Sequence, residues 1–315
     1  MANDLVGGQA LIEGVMIRQG PTWAAAARLP DGGIATTIHD TVPALASTRS
    51  IPLLRGIGAL VDSLRIGMTA MRWSREQSTD PSATSKPGDS IRERLIVTGV
   101  VGSVLAAFLL VPLGVAALAR PLIGTGTWSA ALEGVVRLAM FVAYLAMISR
   151  LPGIRRTLEY HGAEHMVIAA HEHGDPRTIA GARGYSVRHA RCGTDFFLLI
   201  FVISIVAFAL VGHLPAVWLV LSRVLLAPVV VGVAYEILRA GGTSSHRRLA
   251  HALSAPGLFL QRFTTREPDD DQIRIALAAL DKLVPPAPQL ADAAVLSRDP
   301  LGRQRDRRDK TAVWP

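Results

Sequence analysis

Tyr160-His161-Gly162-Ala163-Glu164-His165 places two imidazoles and a carboxylate at i, i+3 and i+4. On a helix all three project from one face. This H-x-x-E-H spacing lets His161 and His165 share a metal ion and leaves Glu164 free to act as general base on a bound water. The site needs at least one more ligand, and the chain offers two sources. His189 and Cys192 form an H-x-x-C pair, and thiolate with imidazole suits zinc. Glu236 is the other, because inverted zincins complete such a motif with a downstream glutamate. Zinc is therefore the expected cofactor, with one coordination position open for the water. A plainer reading makes the same His and Glu side chains hydrogen-bonding groups at a membrane surface, and pairs Glu236 with Arg239. His171 and His173 precede Gly174 and read as a capped helix end. The sequence assigns Cys192 no base that would make it a nucleophile.

The surroundings are apolar. Half of the 315 residues are hydrophobic, only 5% are aromatic, and the formal net charge is +8. Mean hydropathy is positive, which is unusual for a soluble enzyme. A single cysteine excludes an internal disulfide and fits a reducing compartment. Met1 to Ile12 lacks the basic start and apolar run of a cleavable signal. No basic stripe with interleaved aromatics is visible, so specific nucleic-acid binding is not expected.

These features predict an α+β membrane protein. Residues 1–50 read as a small β-rich cytoplasmic region. Strands are expected near Trp23–Leu29 and Ile34–Ile38, around the turn Pro30-Asp31-Gly32-Gly33. The glycines of Gly7-Gly8-Gln9-Ala10-Leu11-Ile12-Glu13-Gly14 read as tight turns. Residues 51–73 form an amphipathic helix too charged to span, and 74–91 a flexible linker. About four transmembrane helices follow. Two lie within 92–150, at Leu95–Ala119 and Leu132–Ile148. Two lie within 196–240, at Phe196–Val211 and Ala216–Leu238. Between them, 151–195 holds the His-rich motifs. Residues 241–283 form cytoplasmic helices, with an apolar face at Ile273, Ile275, Leu277 and Leu280, and 284–315 a disordered tail. Basic residues cluster on one side of the spans, at Arg92, Arg94, Arg150, Arg155, Arg156, Arg239, Arg247 and Arg248. The positive-inside rule then makes both termini and the His-rich region cytoplasmic. Arg137 and Arg223 fall near the outer ends of their spans, to snorkel or to pair with Glu133.

Four motifs in order carry a resemblance. They are Gly7-Gly8-Gln9-Ala10-Leu11-Ile12-Glu13-Gly14-Val15-Met16, Tyr160 to His165, Arg191-Cys192-Gly193-Thr194, and Leu260-Gln261-Arg262-Phe263-Thr264-Thr265-Arg266-Glu267-Pro268. Together they resemble the bacterial YqhQ family, a membrane family of unknown function described as predicted metal-dependent enzymes. The resemblance runs from about residue 5 to residue 282 and implies a multi-pass protein of the bacterial plasma membrane. The chain departs from the family pattern at Met166, where a basic or polar residue is usual, and at Ala190, where proline is usual.

Two functional classes compete. One is a zinc-dependent hydrolase or protease at the cytoplasmic face of the lipid bilayer. The other is a non-enzymatic adaptor whose basic cytoplasmic surface binds a protein or ribonucleoprotein partner. Transport is the weaker idea, since the chain lacks an internal repeat and a homo-oligomer would have to supply one.

Overall fold

A computed structural model describes residues 6–79, 91–189, 192–212, 214–243 and 257–285. It has two parts, a three-layer α/β unit and a bundle of apolar helices.

The α/β unit is built on an antiparallel meander of four strands. These are β1 (Val6–Leu11), β2 (Gly14–Gln19), β3 (Thr22–Arg28) and β4 (Ile34–Asp40), in the order β1-β2-β3-β4. The expected strands and turn in 23–38 correspond to β3 and β4. The glycine-rich run departs from expectation. Gly7 and Gly8 lie inside β1, and the turn is the two-residue Ile12-Glu13, with Leu11 paired to Gly14. Glu13 takes φ 51 there, the left-handed region that a non-glycine residue adopts only under local constraint.

Alternation sends the two faces of the sheet to different partners. Leu11, Met16, Trp23 and Ala25 pack with Ile66 and Ala70 of α1 (Leu54–Ser78). Val6, Val15, Ile17 and Ala26 face α4 (Pro152–Glu172) and α9 (Asp270–Leu283). Both faces of β2 and β3 are therefore buried. The helix expected over 51–73 runs on to Ser78, shortening the linker. Residues 80–90 of that linker, 244–256 of the expected cytoplasmic helices and 286–315 of the tail lie outside the described residues.

α4 is the central helix. Pro152 opens it at a position where the missing N–H costs nothing. It ends with His173 as C-cap and Gly174 at φ 70, as the sequence predicts. Tyr160 and residues 162–170 are buried. α5 (Ile179–Arg183) follows. The short α8 spans 257–264. α9 is closed at its start by a capping box, in which the Asp269 carboxylate accepts from Gln272 N and the Gln272 side chain accepts from Asp269 N. Its buried face carries Ile273, Ile275, Leu277 and Leu280.

The apolar helices are α2 (Ile91–Ile123), α3 (Thr127–Ile148), α6 (Thr194–Val211) and α7 (Ala216–Thr243). Three are long and apolar enough to cross a membrane, over Leu95–Ile123, Thr127–Ile148 and Val217–Ala240. The apolar stretch of α6, Phe196–Val211, is shorter. Three of the four expected spans thus have the necessary length. The span expected from Leu132 begins earlier, at Thr127, so Glu133 and Arg137 lie further from its start than expected. Glu133 accepts from Arg137 Nη2 at 2.8 Å and from Arg223 of α7 through Nη2 at 2.7 Å and Nε at 3.1 Å. Arg137 and Arg223 both stack over Phe208, at 5.3 and 4.4 Å from the ring centroid. One carboxylate and one ring thus hold two guanidinium groups within the bundle, so neither arginine needs to snorkel.

Candidate metal centre

α4 presents His161, Glu164 and His165 along one line, and the surrounding segments fix each of them. His161 Nδ1 donates to Thr264 O at 2.6 Å, and His165 Nδ1 to Val187 O at 2.7 Å. A carbonyl only accepts, so each Nδ1 carries the proton and each Nε2 is directed inward. Histidine metal ligands are commonly oriented by such a backbone bond.

Cys192 completes the group. It lies just before α6, and its Sγ is 3.4 Å from His161 Nε2. One ligand atom from each of His161, His165 and Cys192 falls within 4.8 Å of the others. Tetrahedral zinc with N and S ligands has edges of roughly 3.4 to 3.6 Å. The His161–Cys192 edge already has that length, and the remaining ones need a modest closing movement. Thiolate plus two imidazoles is a zinc-type donor set.

Charge within the cluster is finely balanced. Burial pulls the His161 pKa down, but the charge of Cys192, its hydrogen bond and Glu164 outweigh burial and raise it to about 9. A cation bound there would compete with the proton on His161 Nε2. Burial, with the charge of His161 beside it, lowers His165 to about 3, so that ring is neutral and available as a ligand. Glu164 is buried, which raises its carboxyl pKa against the opposing pull of His165 and His161. Its Oε2 lies 3.8 Å from His161 Nε2. The group opens into a cavity of about 130 Å³ lined by Val6, Gly7, Gly8, Ile168 and Gly193 as well as the polar residues.

His189 sits in the wall of this cavity. Its Nε2 is 3.3 Å from Glu172 Oε2, and its ring lies 5.7 Å from that of His165. It belongs to the site but is not one of the three converging ligands. Glu236 is not brought to the site. It accepts from Arg55 Nε at 2.6 Å, from Arg55 Nη2 and from Leu53 N at 3.2 Å. The expectation of Glu236 as third ligand gives way to a structural role: it pins α7 to the start of α1, where Gly56 packs on Tyr235 and Gly232 on Leu53.

The sequence left the purpose of the flanking motifs open. Gln261 donates to His189 O at 2.9 Å and accepts from His189 N at 2.8 Å, holding the loop that carries Cys192. A β-carbon on Gly162 would lie 2.0 Å from Arg266 O. Glycine there lets 264–266 approach α4 closely enough for Thr264 to orient His161. Gly8 lies directly on the Glu164 side chain. Glu13 accepts from Arg156 Nη2 at 2.7 Å and from the Tyr160 hydroxyl at 3.2 Å, tying the β1–β2 turn to α4 beside His161. Four motifs distant in the chain therefore meet around one group of side chains. Buried Gln261 and the glycines with no room for a β-carbon are the signal that would have found them.

Comparison with known proteins agrees with the resemblance. No solved structure matches the chain. The chain is 34% identical over 294 residues to the uncharacterized protein YqhQ of Bacillus subtilis (strain 168), covering 88% of this chain and 92% of that one. Residues 51–285 match the family described as protein of unknown function (DUF1385), and the chain belongs to this family.

Proposed function

We propose that the protein is a zinc-dependent hydrolase working at the cytoplasmic surface of a bacterial plasma membrane. The convergence of His161, His165 and Cys192 beside the buried carboxylate of Glu164 carries this reading. Four spans with both termini cytoplasmic fit the distribution of basic residues. α4 starts directly after α3, and Cys192 directly precedes α6, so the site lies within a few residues of the apolar bundle.

His161, His165 and Cys192 would hold the ion. Zinc bound there would supply a water whose pKa falls towards neutrality. Glu164 would be placed to take a proton from that water and return it to the leaving group. Burial raises its carboxyl pKa, which favours the protonated form that the second transfer needs. Burial excludes bulk water from the exchange.

A second reading has its own observation. The 3.4 Å separation of Cys192 Sγ and His161 Nε2 is a hydrogen-bonding distance for sulfur, and a thiol beside an imidazole is a nucleophile with a base. Metal content of protein purified in detergent separates the two. About one zinc per chain, lost in His165→Ala and Cys192→Ala, supports the metal hydrolase. A metal-free wild type alkylated at Cys192 faster than a free thiol overturns it in favour of the thiol.

A further inference from the structure

β1 is an edge strand. Among the described residues its only ladder is with β2, and α4 passes beneath it. The two-residue turn makes Leu11 and Gly14 the hydrogen-bonded pair that closes the hairpin. By alternation Gln9 and Gly7 bond to β2, whereas Gly8 and Ala10 direct N–H and C=O away from the sheet. An open edge of this kind is a template for another extended chain.

This edge is also a wall of the reaction cavity. Gly7 and Gly8 line it together with Cys192 and Gly193. Both glycines are exposed, so no side chain fills the space over the edge. Glu164 lies directly under Gly8 on the α4 side. A chain paired with β1 therefore crosses the cavity mouth with its backbone beside the carboxylate.

We propose that the open edge of β1 is the substrate-binding element and that the substrate is an extended polypeptide, taken up as a fifth strand. Gly8 and Ala10 anchor its backbone, and the bond opposite Gly8 is the one presented to Glu164. This rests on the hydrolase reading and narrows it to a peptidase. Water oxygen bonds to the peptide carbonyl carbon, the C–N bond breaks, and Glu164 carries the water proton to the departing nitrogen. The second water proton leaves the new carboxyl group for the amine, so the products are a carboxylate and an ammonium group, and no other reactant is needed. Backbone pairing also predicts broad tolerance of side chains, because the edge reads N–H and C=O groups.

The test uses the full chain with Glu164→Gln, which silences turnover, and carboxymethylated β-casein as an unfolded polypeptide. Hydrogen–deuterium exchange is read at single-residue resolution with and without casein. Exchange at Gly8 and Ala10 is expected to slow at least tenfold, while Gly7 and Gln9, already in the ladder, stay unchanged. Ala10→Pro removes one outward N–H and leaves the β2 ladder intact. It is expected to weaken casein binding roughly three- to tenfold in fluorescence anisotropy, the worth of one hydrogen bond. Casein that does not bind, or binds without protecting Gly8 and Ala10, overturns the proposal. Zinc content is measured on the same samples. A chain without zinc sinks the metal reading and leaves the edge to be judged by exchange. A zinc-loaded chain with an unprotected edge sinks only the edge.

Discussion

Gly8 and Glu164 meet with no space between them: a β-carbon on Gly8 would lie 2.6 Å from Oε1 and 2.7 Å from Cγ of the carboxylate side chain. A residue of the N-terminal sheet thereby sets the position of Glu164, the proposed general base, on α4. Gly8→Ala is expected to push Glu164 aside while leaving His161, His165 and Cys192 in place. Casein hydrolysis should fall at least a hundredfold with zinc content unchanged. Gly7→Ala is the control, since nothing lies within 4 Å of a β-carbon there. Equal losses in both variants would contradict this placement of the base.

Gln261 is fully buried and bonds both backbone groups of His189. It acts on the site through the loop leading to Cys192, not by touching the ligands. Outer groups that orient ligands typically change metal affinity by about 10- to 100-fold. Gln261→Ala should weaken zinc binding by that order, read by competition with a chelator of known affinity. Gln261→Glu keeps an acceptor for His189 N but places an acceptor against His189 O. It should bind zinc no better than Gln261→Ala, and wild-type affinity in either variant would remove Gln261 from the site's support.

Glu236 makes the opposite prediction. Its partners are Arg55 and Leu53 N, so Glu236→Ala should retain full zinc content. Its effect should be on the docking of α1 against α7. Arg55→Ala should lower the melting temperature in detergent by a similar amount, and the double variant by little more, because the two residues share one interaction. Loss of zinc in Glu236→Ala would restore it as a ligand.

Glu13 should make stability depend on pH. Burial raises its pKa, but the hydrogen bonds and charge of Arg156, with Tyr160 and Arg28, outweigh burial and hold it below the usual 4.5. A depressed folded-state value stabilises the fold above about pH 4.5 and loses that contribution as pH falls through the depressed value. Glu13→Gln should therefore be less stable than wild type at neutral pH, by about 1 kcal/mol for this partly exposed pair. The difference should close in acid. Melting curves at pH 7, 5 and 3 measure it, and a gap that stays constant with pH would remove Glu13 from the account.

The sequence shows some of this arrangement and hides the rest, for identifiable reasons. H-x-x-E-H is legible because helical periodicity alone puts its three side chains on one face. The turn at Pro30-Asp31-Gly32-Gly33 and the apolar stripe of α9 are local signals of the same kind. That Cys192 and not Glu236 lies beside the α4 histidines is not a local signal, since it depends on a contact between segments 31 residues apart. Base and thiol are separated along the chain as well, so the His161–Cys192 pair has no spacing signature. Gly7 and Gly8 mislead because glycine more often marks a turn than an edge strand pressed on a helix. Glu133, Arg137 and Arg223 lower the apparent quality of two spans when taken singly, and become intelligible only as a group.

That group supports a last prediction. Glu133 is 2% exposed and accepts three hydrogen bonds from Arg137 and Arg223. Arg137 also donates from Nε to Phe108 O at 3.2 Å, so α2, α3 and α7 meet at one carboxylate. Glu133→Ala leaves two guanidinium groups in the bundle with no anion between them. Breaking a buried pair in this way costs roughly 3 to 5 kcal/mol. The variant should therefore melt well below wild type in detergent and accumulate poorly in membranes. Replacing all three charges together, with Glu133→Leu, Arg137→Leu and Arg223→Leu, removes the orphaned cations and should recover much of the loss. A triple variant no more stable than Glu133→Ala would mean that the arginines are needed for something other than pairing with Glu133.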